Sequence, residues 1–332
     1  MTFAGPGFTP IRIQFLPESL ITWMDLRDVR FEEPFFRDTI DRVSQAGPRP
    51  MALSGIEELQ AQDHRPTLAP SLFIFHASRC GSTLVSQILA TIASNVVIAE
   101  ASVINDLLAT PLAEAEKSDL LRLLIRALGR DRPGDARHLI VKFSSWNVLS
   151  AEMIHRAFPD TPLVWLQREP LQIVASHAEQ PAGWTGWRDA GDPALSMLGL
   201  TVAAARALSA AQFRLHAIEA LFRAAHRAKL AWQTVDYAEL PGAVWGEIAA
   251  HARLSWDPSD LERMQARARF DSRSSSAVPY LTRDRSRSLS DEDRRFVATW
   301  IAPLYRALGH QEPKPDQLPN SGDDGGTVVG RA

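Results

Sequence analysis

The chain is expected to fold as a three-layer α/β/α protein around a central, mainly parallel sheet, with a small N-terminal extension. Apolar, β-favouring runs recur at Leu72–Phe75, Val96–Ala99, His138–Phe143, Thr161–Gln167 and Trp232–Asp236, and stretches with helical apolar spacing separate them. That alternation predicts parallel strands joined by helical crossovers, with helices on both faces of the sheet. The 332 residues, 45% of them hydrophobic, can bury one large core. Such a core suits a domain of roughly 200–250 residues plus an appendage. The first apolar run also opens directly into a loop of small residues and then a helix, the setting of an anion site.

Residues 1–66 are expected to form the extension and a linker, 67–310 the main domain, and 311–332 a disordered tail rich in Gly, Asp and Pro. Within the extension, Ile11–Phe15 alternates like a short strand, and Glu33–Val43 has the pattern of an amphipathic helix opened by Pro34. Phe31, Phe35 and Phe36 are expected to pack on the main domain. Ala46–Pro70 is rich in Pro and polar residues, which predicts a linker around one short helix near Ile56–Gln62. Between the strands, helices are expected at Val103–Leu108, Leu112–Leu128 (closed by Gly129), Asn147–Phe158 and Leu171–His177. A loop carrying Trp184 and Trp187 precedes a long Ala-rich helical stretch, about Ala194–Lys229. After the fifth strand come helices at Gly242–Ala252 and Asp291–Leu308, separated in part by a Ser/Arg-rich loop, Asp271–Ser288.

Charge and cysteine usage exclude several classes. A net charge of −3 supplies no global field for nucleic acid or anionic membrane. One cysteine rules out an intramolecular disulfide framework and a cysteine-rich zinc site, and suits a reducing compartment. Met1–Pro10 lacks the basic and apolar regions of a signal peptide, and no run of about eighteen apolar residues occurs. A cytoplasmic protein without nucleic-acid or membrane partners is expected.

The chemistry concentrates in Ser78-Arg-Cys-Gly-Ser-Thr-Leu84. Backbone N–H groups at the helix start that follows carry partial positive charge and have no intrahelical acceptor, so they favour a phosphate. A Walker A loop needs Gly, four residues, then Gly-Lys; here His76 stands where the first Gly would be, and Ser82 follows Gly81. A cysteine phosphatase needs Arg six residues after the Cys, and that position is Ser86. Cys80 is therefore expected to be a small residue lining the loop.

This loop resembles the 5′-phosphosulfate loop of the sulfotransferase family, in which a Lys or Arg precedes a small residue, Gly and two hydroxyl residues. A second resemblance lies after a later strand, in Arg168-Glu-Pro-Leu-Gln-Ile-Val-Ala-Ser176, which matches the family's 3′-phosphate motif of an Arg with a Ser eight residues on. Together they imply a P-loop-like fold and 3′-phosphoadenosine 5′-phosphosulfate as donor, with 3′,5′-adenosine bisphosphate as product. The donor would be held by Arg79, Cys80, Gly81, Ser82, Thr83, Arg168 and Ser176. Tyr237, in Tyr237-Ala-Glu-Leu240 after the fifth strand, resembles the family's Tyr that touches the adenine.

Glu100, directly after Val96–Ala99, resembles the Glu base of one branch of the family, and a carboxylate at a parallel strand's C-terminal end is placed to take an acceptor's proton. Lys142 resembles the Lys that holds the sulfuryl group. Arg79 would neutralise the leaving oxygen, and no metal is implied. His138 and His177 are rival bases, but one opens its strand at the wrong end and the other follows the 3′-phosphate Ser. The Arg-Lys-Gly of cytosolic members is absent; Asp271–Ser288 occupies a similar position and offers Arg273. The implied activity is sulfuryl transfer to a hydroxyl or amine of a small-molecule, carbohydrate or peptide acceptor, with Trp184 and Trp187 as a candidate wall. A kinase-like enzyme using the loop for ATP, and a non-catalytic nucleotide-binding relative, are the alternatives.

Overall fold

The computed structural model describes residues 5–15, 19–270 and 289–309. Its main sheet has five parallel strands: β4 (Pro70–His76), β5 (Asn95–Ala99), β6 (His138–Lys142), β7 (Leu163–Gln167) and β8 (Trp232–Asp236). Their order is β5-β6-β4-β7-β8, so the chain leaves β4 toward one edge and later returns to build the other. In such a sheet the ligand crevice lies at the strands' C-terminal ends beside the strand where the order reverses. Here that strand is β4.

Because successive strand residues face opposite sides, each strand feeds two cores. Phe73, Phe75, Ile98, Val141 and Trp165 pack into one, and Leu72, Ile74, Val97, Ile140 and Val164 into the other. The expected three layers follow from this two-sided burial. On the second face lie the helix after β4, Ser82–Ala90, and the segment around Val244–Ile248, with Met264 of helix Pro258–Ala268 beneath them. Helices Ser102–Leu108, Glu114–Leu128 and Ala210–Arg227 cover the first face.

The N-terminal segment has the expected first strand and two short helices, but it also builds a sheet where a linker was expected. It forms a three-stranded antiparallel sheet of β1 (Phe8–Gln14), β2 (Leu20–Asp25) and β3 (Met51–Ser54), with α1 (Phe36–Ala46) between β2 and β3 and α2 (Ile56–Ala61) after it. Composition pointed to a linker because β3 is a four-residue edge strand whose Met51 and Leu53 face outward, about half exposed. Its stability comes from pairing with β2, which local sequence does not report. This sheet docks on helix Ser102–Leu108: Arg12 Nε and the Ile13 N–H donate to Asp106 Oδ2 at 2.7 and 3.1 Å. The Gln87 side-chain amide donates to the Glu32 carbonyl at 2.7 Å, fixing residues 30–37 against the helix that follows β4.

The single long helix expected over Ala194–Lys229 is divided. Pro193–Leu198 is a 3₁₀ segment ended by Gly199 at φ 74°, Val202–Ala207 is a short helix, and Ser209 opens Ala210–Arg227 through a reciprocal cap with Gln212. A glycine in left-handed conformation and a serine cap outweigh the surrounding alanines. Helix Pro258–Ala268 was not expected from the sequence. Asp271–Ser288, with Arg273, and the tail 311–332 lie outside the described residues. Among the described residues no helix is long and apolar enough to cross a membrane.

Candidate active site

β4 ends at His76, and the chain turns through Ala77–Gly81 into α3 (Ser82–Ala90). Ser78, Arg79 and Gly81 all take left-handed backbone, at φ 63°, 52° and 83°. For the two non-glycine residues this conformation costs about 1–2 kcal/mol each. The Ala77 N–H donates to the Leu166 carbonyl at 2.9 Å and the Ser78 N–H to His76 Nδ1 at 3.1 Å. Gly81 is required twice over, since a β-carbon there would lie 2.7 Å from Leu240 Cδ1 and 2.9 Å from Tyr237 Cδ2. Gly81 at the N-cap has no side chain to cap α3, and Ser82 and Thr83 of its first turn line the cleft, toward the positive end of the helix dipole.

Contrary to expectation, Cys80 does not present its side chain to the mouth of the loop. It is fully buried among Leu72, Val85 and Val164, and its thiol donates to the Leu166 carbonyl at 3.2 Å. Only its backbone belongs to the loop. Burial pushes the thiol pKa up to about 12, so no thiolate forms near neutral pH. Native protein is expected not to react with Ellman's reagent over an hour, and to release one equivalent of chromophore once denatured.

On the β7 side, Arg168 follows the strand and Glu169 caps α7 (Pro170–Glu179; α4 to α6 being Ser102–Leu108, Glu114–Leu128 and Ala151–Ala157). The Glu169 carboxylate accepts from the N–H groups of Leu171 and Gln172 at 3.1 and 2.9 Å, with Pro170 in the first turn. The Glu-Pro pair thus sets the strand-to-helix turn that presents Arg168. The Arg168 guanidinium lies 4.2 Å over the Tyr237 ring, and among the described residues it forms no ion pair. Tyr237, after β8, also packs against Gly81, so one ring connects the loop to Arg168. Ser176 is buried on α7. Arg79 spans the same region: its guanidinium donates to the Gln180 carbonyl and, at 3.4 Å, to that of Pro181, just past α7.

On the opposite side of the loop, Glu100 follows β5 in left-handed conformation, φ 56°. Its N–H donates to the Lys142 carbonyl at 2.7 Å, and its carboxylate accepts from the Lys142 ammonium and from Ser144 Oγ at 3.5 Å. Lys142, at the end of β6, is fully buried, with its ammonium 5.1 Å over the Phe35 ring. It stands behind Glu100 rather than in the open cleft. Burial pushes the Glu100 pKa up, but the charge of Lys142, with hydrogen bonds from Lys142 and Ser144, outweighs it and holds the carboxyl below its ordinary range.

Glu100, Arg79, Ser82 and Thr83 line a cleft of about 660 Å³ together with Phe35, Trp146, Trp184 and Trp187. Trp184 is mostly buried, its indole N–H donating to Ser145 Oγ at 3.2 Å, while Trp187 stands edge-to-face on Trp146 at 5.3 Å. Phe35 reaches the cleft from the N-terminal segment. His177 is fully buried against Trp184, its pKa pushed down to about 4 by burial and then by Arg214, so it is a neutral core residue. His138 opens β6 at the far end of the sheet, beside Ser71. The histidine at the site is His76, with Nε2 3.8 Å from Glu100 Oε1. Its position as the last residue of the strand feeding the loop is the sequence signal that marks it.

No sequence model of a known protein family matches the chain, and no curated protein matches it in sequence. Among solved structures it resembles the sulfotransferase STF9 from Mycobacterium avium at a TM-score of 0.48 and 14% identity, over 72% of this chain and 79% of that one. A likeness that loose leaves the function to be argued from the site itself.

Proposed function

We propose that this chain transfers the sulfuryl group of 3′-phosphoadenosine 5′-phosphosulfate to a hydroxyl or amine of a small-molecule, carbohydrate or peptide acceptor. The arrangement along the C-terminal edge of the sheet is the observation that carries this reading. An anion loop sits at β4, a cation free of ion pairs among the described residues lies to its β7–β8 side, and a carboxylate facing an open cleft lies to its β5–β6 side. A donor with two separated phosphates and a reacting group at one end needs that order. The residues fit such a donor: loop amides and the uncapped α3 for the 5′ end, Arg168 with Ser176 for the 3′-phosphate, and Tyr237 beside both.

The donor supplies a sulfur already bonded to a phosphate leaving group. The chain's own task is to align, to accept a proton and to neutralise charge. Glu100, ionised at neutral pH, accepts the proton of the attacking hydroxyl as the new oxygen–sulfur bond forms. The sulfur–oxygen bond to phosphate breaks in line, and the charge left on that oxygen meets the Gly81–Thr83 amides and Arg79, whose side chain turns from Gln180 to reach it. Lys142 keeps Glu100 ionised and oriented. The test is calorimetric and thermal-shift titration with 3′,5′-adenosine bisphosphate. Saturation at 100 times Kd is expected to add about 2.7 kcal/mol of stability and raise Tm, with no response to ATP–Mg²⁺. The opposite pattern overturns the reading.

A further inference from the structure

We infer that His76 is the positioning residue of this site, a clip that sets the shape of the anion loop and joins it to the Glu100 side of the cleft; the inference deepens the proposed function and rests on it for its role in donor binding. His76 is buried, 4% exposed, and among the described residues its two ring nitrogens make hydrogen bonds of opposite sense. Nδ1 accepts from the Ser78 N–H at 3.1 Å, and Nε2 lies 3.0 Å from the Phe143 carbonyl, which can only accept. One nitrogen must therefore carry a lone pair and the other a proton, which fixes a neutral ring in the Nε2–H tautomer.

Each bond has a distinct consequence. The Ser78 bond pins the first of two consecutive left-handed residues, Ser78 and Arg79, where no glycine eases the backbone. Their conformation decides where Arg79 and the amides before α3 point. The Phe143 bond anchors the ring to the end of β6, one residue past Lys142, and leaves Nε2 3.8 Å from Glu100 Oε1. The anion loop and the carboxylate are thus registered to each other through one imidazole, across two strands.

The amide side chains of Asn and Gln separate the two bonds. His76→Asn places an oxygen near Nδ1 and keeps the Ser78 acceptor, while His76→Gln places an N–H near Nε2 and keeps the Phe143 donor. Affinity for 3′,5′-adenosine bisphosphate is expected to stay within about threefold in H76N and to fall about tenfold in H76Q, the effect of one lost hydrogen bond on a loop that holds charge. Amide exchange at Ser78 in the free protein is expected to stay slow in H76N and to accelerate in H76Q. Nitrogen NMR of the wild type should show Nε2 protonated and Nδ1 bare, a reading that needs no variant. Equal behaviour of the two variants, in either direction, or the opposite tautomer, overturns the inference. If the wild type fails to bind the bisphosphate, the proposed function falls, and Ser78 exchange with the tautomer still decides the role of His76 as a clip.

Discussion

Replacing Arg168 with alanine is expected to weaken binding of 3′,5′-adenosine bisphosphate about 30- to 100-fold. Adenosine 5′-monophosphate, which lacks the 3′-phosphate, should stay within about twofold. The size follows from losing a charge-assisted contact to phosphate, about 2–3 kcal/mol, at tenfold per 1.4 kcal/mol. Comparing the two nucleotides is needed because Arg168 has a second role. Its guanidinium covers the Tyr237 ring, and that ring packs on Gly81, so truncation also removes a support of the anion loop. A loss common to both nucleotides would mean that Arg168 acts through the stack, and the 3′-phosphate assignment would fail. A loss confined to the bisphosphate identifies the phosphate itself. Arg168→Lys should recover part of it, since a point charge remains while the planar fork and the stack are lost.

The parts of this site read from sequence are those set by short stretches of chain. Glu169 and Pro170 define a strand-to-helix turn within a few residues, so the helix start after β7 was legible, whereas the pairing of Arg168 with Ser176 was read from a family resemblance. The five parallel strands were legible for a related reason, as strands buried on both faces are runs of apolar residues that stand out whatever their partners. What escaped is set by contacts between distant segments. Lys142 has the same local sequence whether exposed or buried, and its burial depends on Phe35, more than a hundred residues earlier. His76 acquires its tautomer from a carbonyl 67 residues away. Cys80 was expected to line the loop, but the left-handed turn through Ser78 and Arg79 directs its side chain into the core. The three-stranded N-terminal sheet escaped for the same reason, because β3 gains its stability from pairing rather than from propensity.

Glu100→Gln is expected to lower kcat about 10²- to 10⁴-fold, the range of a general base, with bisphosphate affinity nearly unchanged because Glu100 lies on the far side of the loop from Arg168. The pH profile carries the sharper test. The folded-state pKa of Glu100 is depressed, so the carboxylate is ionised through neutral pH, and kcat/KM should hold until the pH falls below the ordinary carboxylate range. The same sign governs stability: the Glu100–Lys142 contribution is present above the unfolded carboxylate pKa and is lost as pH falls through the folded one. Lys142→Met removes the cation and leaves burial as the main influence on the carboxyl, so the acid limb of kcat/KM should move to higher pH. It should also cost about 3 kcal/mol at neutral pH, since the carboxylate loses its buried partner. The double variant, Lys142→Met with Glu100→Gln, should regain much of that stability and none of the activity. If Lys142→Met instead leaves the acid limb in place, Glu100 is not the group that sets it, and the proton of the acceptor goes elsewhere.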